Sequence, residues 1–472
     1  AGILFNMYYQ YSYEKDYLSE FSDQGEALDK LETGTDLAVL KTGDESVYRY
    51  DQMGTHSYEN SSMQTGTNST SYYFSVASGD ITNFFNEVDL NTPWDYHYEN
   101  LDSRTILDRL AAVKYFVVKA GEEEYLPYGY DTLAAEAEKK DRLYRAYECK
   151  NALPIGYTYD SYIPEKKYAK MSTVEKQQAL LQGVVLADSA VPETTPEFND
   201  REVSYKLVTG SGCREKDGKL IITKENAQAK LVFDGLDECE TYLITEGVDY
   251  EALSPRELIS DKKWNKMTLY EQKKVKYENS KWRYWKESQK AYIDVTGQFL
   301  DKTISIFTDK YNAYSGRSDF LCNTGYSEKG KKSITLTFEN TGVYSYKDMK
   351  VVCQPMKNIE SQTSRLGTES LKDVKIKNHE LTGSISVSKN KVLVISLPYS
   401  KGFQAYVDGQ KTELKQANTM YMALELTKGD HEIRITYYTP YLKTGLVLTC
   451  VGILCYICVV LVCKKRRGNK ET

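Results

Sequence analysis

Histidine is scarce in this chain of 472 residues: there are four, His56, His97, His379 and His431. None pairs with another at helical or hairpin spacing, so no metal site is expected. Cysteine is sparse outside one segment. Four of the nine, Cys450, Cys455, Cys458 and Cys463, fall in or at the end of an apolar run. The other five, Cys149, Cys213, Cys239, Cys322 and Cys353, are odd in number, widely spaced and free of C-x-x-C pairs. That excludes a disulfide framework and a zinc site. One incidental disulfide is expected at most, Cys213 with Cys239 or Cys322 with Cys353. There is no G-x-S-x-G elbow, no phosphate loop and no G-x-G-x-x-G fingerprint, so no cofactor is expected. An excess of positive charge is also lacking, with 61 Lys and Arg against 67 Asp and Glu, a net −6. The last nine residues hold five basic side chains and one acid, +4, which leaves −10 for the rest. That balance argues against a nucleic-acid partner.

In one place charge is missing altogether. Residues 444–463 (TGLVLTCVGILCYICVVLVC) carry none, and KKRR follows at 464–467. About 20 apolar residues span a bilayer core as a helix, whereas a buried core helix seldom stays apolar all round. A Lys/Arg cluster beside such a helix favours the cytoplasmic side. The expected arrangement is a cell-membrane protein with its bulk extracytoplasmic, a transmembrane helix at 444–463 and a cytoplasmic basic tail at 464–472. The chain opens AGILF, without Met or a signal-peptide pattern. This reads as the end of a preceding apolar segment, hence the C-terminal part of a longer membrane protein.

Tyrosine is abundant: 41, against 13 Phe and 4 Trp. Its apolar ring and polar tip suit half-wet sheets and sugar-contacting surfaces. The expected fold is an α+β ectodomain with β-sandwich or jelly-roll-like units, plus the C-terminal helix. Residues 1–190 read as a mixed α/β membrane-proximal part, with a short amphipathic helix at 16–31. Residues 134–148 read as a charged helix. Ser172 with Glu175 forms a capping box. A Pro/Thr/acidic linker at 188–200 precedes a β-sandwich at 200–356, built of short strands between Gly, Asp and Asn turns. A basic helical insertion at 254–290 interrupts it. A polar linker at 357–376 leads to a small β-sandwich unit at 378–440, where Asp408-Gly409 signals a hairpin.

The segment 101–119 (LDSRTILDRLAAVKYFVVK) reads as a helix capped by Asp102 or Ser103 and running through Ala112, then a buried strand. Arg104, Asp108 and Arg109 are expected solvated or locally paired. This LDSR…LAAVKY pattern resembles the helix–strand motif in the extracytoplasmic part of YfhO-type bacterial membrane proteins. So do PYSKG at 398–402, AYVDG at 405–409, GDHEI at 429–433 and the Thr439-Pro440 step into the last helix. Ala112 departs from the glycine expected before VKY. The resemblance implies a multi-spanning GT-C-type glycosyltransferase using a lipid-linked sugar, engaged in lipoteichoic-acid glycosylation in Gram-positive bacteria. The catalytic carboxylates of such enzymes lie in an early outer loop that this chain does not include, so no catalytic residue is assigned. The partners it implies are the lipid bilayer, a lipid-linked sugar and a cell-wall polymer.

Two aromatic clusters remain, WDYHY at 94–98 and WRYW at 282–285. Aromatic faces beside Arg or Asp suit a glycan, so Trp94, Tyr96, Arg104, Trp282 and Trp285 are the candidate ligand contacts. Plain packing is the simpler reading of both clusters, and lipid-headgroup or polyanion contact is a third reading for 262–290. The alternative to a transferase is a single-anchor surface protein that binds glycan or a partner without catalysis. A glycosidase needs two carboxylates about 5–10 Å apart across a sugar, which the sequence does not display.

Overall fold

The computed structural model describes residues 32–53, 60–90, 92, 96–286, 289–297 and 300–468. The helix expected at 16–31, together with His56 and Trp94, lies outside them. The fold is α+β and sheet-rich, with one C-terminal apolar helix.

The first sheet orders its strands Arg49–Gln52, Val113–Lys119, Arg142–Cys149, Tyr130–Lys139. Residues 134–148 are therefore a hairpin, not a helix. Lys140 and Asp141 take φ of 51° and 59° at its tip, which matches the right-handed twist of paired strands. The helix-forming Ala, Glu and Lys of this stretch yield to tertiary context: Ala137 and Ala146 are buried against Tyr50 and Val117.

The motif helix is shorter than expected, Thr105–Leu110, with Arg104 at its N-cap and no side-chain cap. Asp102 and Ser103 lie before it at φ of 62° and 51°. Asp102 is used elsewhere, in an ion pair with Lys302 at 2.6 Å. Ala112 ends the helix at φ 59°, the left-handed geometry in which glycine is strain-free. The buried strand Val113–Lys119 follows as expected. The Ser172–Glu175 capping box is present on the Thr173–Ala179 helix.

Strands from distant parts of the chain share a sheet. Gly156–Tyr159 pairs antiparallel with Lys391–Pro398, aligning Val392 with Tyr159. Arg49 reinforces the join, donating to Ala111 O at 2.6 Å and Ser396 O at 2.8 Å. The stretch 188–200 is irregular but held, since Glu425 accepts from Ser189 Oγ at 2.7 Å. The expected linker at 357–376 is instead ordered. It carries the helix Ile359–Gly367, which buries Ile359, Thr363 and Leu366 at i, i+4, i+7, and the strand Lys372–Lys377.

Between these parts, three sheets contribute to one apolar core that includes Ile222, Leu231, Leu243, Ile293 and Phe338. Ala227–Phe233 buries every second residue, as a half-buried strand must. All nine cysteines are free, so neither expected disulfide forms. Cys322 and Cys353 lie on strands flanking Cys239–Glu246, opposite Leu243 and Thr241. Two strand spacings, roughly 9.5 Å, exceed the Cα separation that a disulfide tolerates. Cys213 and Cys239 belong to different sheets.

The last sheet includes Phe403–Val407, turned back by Asp408 and Gly409 onto Gln410–Thr412. Gly429–Tyr437 leads from this sheet into the helix Leu442–Gly468. The 22 residues from Leu442 to Cys463 are long and apolar enough to cross a bilayer, and none of that run is buried against the body.

Candidate functional site

A groove of about 490 Å³ opens between the helix Leu269–Trp285 and the edge strands of two sheets, Asp249–Ala252 and Asp301–Phe307. That volume suits a small ligand or a short segment of polymer. Trp282, Phe307 and Tyr314 supply aromatic surface. Asp249, Glu251 and Asp309 supply carboxylates, and Lys286, Arg317 and Lys347 supply cations. The wall is thus electrically balanced.

Local chemistry fixes the helix that forms one side. Thr268 and Glu271 make a capping box, the carboxylate accepting Thr268 N–H at 2.7 Å. This hydrogen bonding holds the Glu271 carboxyl below its usual pKa. Gln272 donates to the carbonyls of Trp264 and Met267, and Asn279 accepts from Arg256 N–H at 3.2 Å. The Arg256 guanidinium lies 4.5 Å over the Trp264 ring, so Trp264 braces the helix base. On the opposite wall Arg317 sits over Phe320 at 5.0 Å. It also donates to Thr92 O at 3.0 Å, which ties the groove to the loop preceding the WDYHY cluster.

Of the five residues expected from sequence, Trp282 lines the groove. Trp285, three residues on, is 68% exposed and does not line it. Tyr96 makes an edge contact with Tyr73 at 5.7 Å. Trp94 is outside the described residues. Sequence reasoning missed Tyr314 and Arg317, although their segment (DKYNAYSGRSD, 309–319) is a loop rich in Tyr and polar residues.

Arg104 lies in a second, closed cluster. The expectation that Arg104, Asp108 and Arg109 are solvated or locally paired is corrected here, because all three have no exposed surface and the two arginines bond to groups distant in sequence. Arg104 donates through Nε and Nη2 to Gln177 Oε1 at 3.0 and 2.8 Å and through Nη1 to Val88 O at 2.5 Å. Glu240, equally buried, accepts from Thr105 N–H at 3.0 Å and Tyr242 O–H at 2.5 Å. Burial raises its pKa, while those donors and Arg104 restrain the rise. Arg109 pairs with Glu360 at 2.6 Å and donates to Thr363 at 3.0 Å. Neither carboxyl oxygen of Asp108 has a donor among the described residues, while its N–H donates to Arg104 O at 3.0 Å. Burial, then the neighbouring Asp51 carboxylate, pushes its pKa well above the usual range. Lys331 donates to Gly325 O at 2.7 Å, and burial pulls its pKa down to about 7. This cluster clamps the motif helix onto the strand Cys239–Glu246. Arg104, Asp108, Arg109 and Glu240 have no exposed surface, whereas Glu360 reaches the surface.

A third feature is a hollow of about 350 Å³ that includes Glu369, Asp408 and His431. His431 Nδ1 meets Asp408 at 2.8 Å and Nε2 meets Thr427 O at 2.8 Å. Both ring nitrogens are thus committed to acceptors.

Three comparisons bear on this architecture. The sequence profile of the family described as "Bacterial membrane protein YfhO" matches residues 3–449. The "Uncharacterized protein YfhO" of Bacillus subtilis (strain 168) is 22% identical over 488 residues, covering 99% of this chain and 50% of that protein. The chain thus spans about half the length of the curated relative it matches. A cryo-EM structure of the arabinofuranosyltransferase AftD from Mycobacteria, in a variant form, overlaps 36% of this chain and 14% of its own, at 12% identity and a TM-score of 0.15. So slight an overlap carries no argument.

Proposed function

Because the chain belongs to the YfhO family of bacterial membrane proteins, we propose that it is the outer, glycan-holding part of a membrane glycosyltransferase-like protein. In this reading the apolar helix crosses the cell membrane, its basic end lies in the cytoplasm and the sheet-rich body lies outside. The body presents an acceptor, a cell-surface polymer of the lipoteichoic-acid type, to a transfer site fed by a lipid-linked sugar. The single observation that carries the proposal is the groove at Trp282. Flat Trp282 and Tyr314 surfaces suit the C–H faces of a sugar ring. Asp249, Glu251 and Asp309 accept from hydroxyls, while Lys286, Arg317 and Lys347 donate to ring and hydroxyl oxygens. The balanced charge suits a carbohydrate better than a nucleic acid.

The test is equilibrium binding of lipoteichoic-acid polymer to the purified chain in detergent, read by tryptophan fluorescence, beside a transfer assay on the same sample. Saturable binding without sugar transfer is expected. Transfer by the chain alone, or no binding to glycan at all, overturns the proposal.

A further inference from the structure

The helix Leu269–Trp285 touches the body along one side only. Gln272, Val275, Asn279 and Trp282 are half-buried, at steps of three, four and three. The opposite side carries Tyr270, Tyr277 and Tyr284, recurring every seven residues and 78%, 59% and 86% exposed. Lys273, Lys274 and Lys281 alternate with them and are exposed too. At 100° per residue this stripe lies about 180° from the half-buried face and runs about 21 Å along the helix. The Lys281 ammonium rests 4.4 Å from the centre of the Tyr277 ring. Leu269 and Trp285, 79% and 68% exposed, stand at the two ends.

Charge sets this element apart. Residues 261–286 hold nine Lys and Arg and three acids, +6, within a chain of net −6, so the remainder carries −12. Aromatic rings interleaved with lysine are the composition of a bilayer interface, where rings settle among headgroups and ammonium groups meet phosphates. The partner is close at hand, since the chain carries an apolar helix long enough to enter a bilayer.

We propose that the outward Tyr/Lys face of Leu269–Trp285 docks on the anionic headgroup surface of the bilayer that the C-terminal helix enters. The acidic remainder is repelled from that surface, so docking selects one orientation of the body. Trp282 and Lys286, on the inner side of the same helix, line the groove. Docking therefore holds the groove within one helix diameter, about 10 Å, of the headgroups.

The test is hydrogen exchange of the full chain in nanodiscs of phosphatidylcholine alone and of phosphatidylcholine mixed with phosphatidylglycerol. Amides of 268–286 are expected to exchange more slowly in the anionic discs, with the protection falling as salt rises. A triple variant, Lys273→Glu, Lys274→Glu and Lys281→Glu, changes exposed residues only and preserves the fold. It is expected to lower the docked-to-free ratio by about a hundredfold or more and to abolish the difference between discs. Equal exchange in both discs overturns the proposal. So does protection that arises only on adding soluble polyphosphate, which would assign the stripe to a polymer rather than to lipid.

Discussion

Replacing Arg104 by methionine separates a structural role from a ligand-binding one. The substitution keeps much of the apolar stem and deletes the guanidinium. Two buried acceptors, Gln177 Oε1 and Val88 O, then lose the donor described above, each at about 1–3 kcal/mol. Glu240 loses the cation that offsets part of its burial. The Tyr242 ring loses a guanidinium 6.0 Å from its centre, a minor contribution at that distance. Together these give a loss of about 3–5 kcal/mol, the range seen when one partner of a buried charge network is removed. Arg104→Lys restores charge without the planar fork and falls between. The assay is urea denaturation of the chain in detergent, followed by hydrogen exchange of the amides of Thr105–Leu110 and Val113–Lys119. Methionine is expected to lower the midpoint and accelerate exchange in those two elements, leaving glycan affinity of the folded fraction unchanged. A variant within about 0.5 kcal/mol of the parent, or one that loses glycan affinity while keeping its stability, refutes the reasoning.

Further predictions concern single side chains. Asp108→Asn removes a carboxyl whose pKa the fold raises. Such a group is protonated in both states at low pH, and it costs stability as pH rises above its unfolded value. Thermal melts should show no gain near pH 4 and, for a change of about 1 kcal/mol, a gain of roughly 2–4 °C at pH 8. Ala112→Gly relieves a left-handed φ but loses a buried methyl, so chemical denaturation should place it within about 0.5 kcal/mol of the parent. Ala112→Val puts a β-branched residue in the same geometry and should cost at least about 2 kcal/mol. For His431, desolvation lowers the pKa, but Asp408 and the Thr427 carbonyl outweigh it and the net shift is upward. Its stabilisation is complete below about pH 6.5 and is lost as pH rises through the folded value, so His431→Gln should flatten the pH dependence of melting between those limits.

Local chemistry was legible in the sequence wherever it decided the structure alone. The alternation in Ala227–Phe233, the Asp408-Gly409 turn and the Ser172–Glu175 box each involve neighbours a few residues apart. The uncharged run at 444–463 needed only its length. Illegible features depended on distant partners. The hairpin at 130–149 is rich in helix formers and becomes a strand pair because Arg142–Cys149 docks on Val113–Lys119. The helix Ile359–Gly367 hides its buried face among Ser, Thr and Gln. Arg104 and Arg109 looked like surface charges because their partners Gln177 and Glu360 lie 73 and 251 residues away. At the groove, Trp282 announced itself as an aromatic in a basic block. Tyr314 and Arg317 did not, since only the fold brings their loop to the same wall.

The most direct measurement is sugar transfer by the full-length protein in membrane vesicles, with a labelled lipid-linked donor and lipoteichoic-acid acceptor, comparing the parent with Trp282→Ala. Transfer by the parent is expected. Loss of one stacking surface should raise the acceptor concentration at half-maximal rate about tenfold and leave the maximal rate nearly unchanged. An inactive parent, or a variant with unaltered acceptor dependence, would contradict the assignment of this chain as the part that holds the glycan.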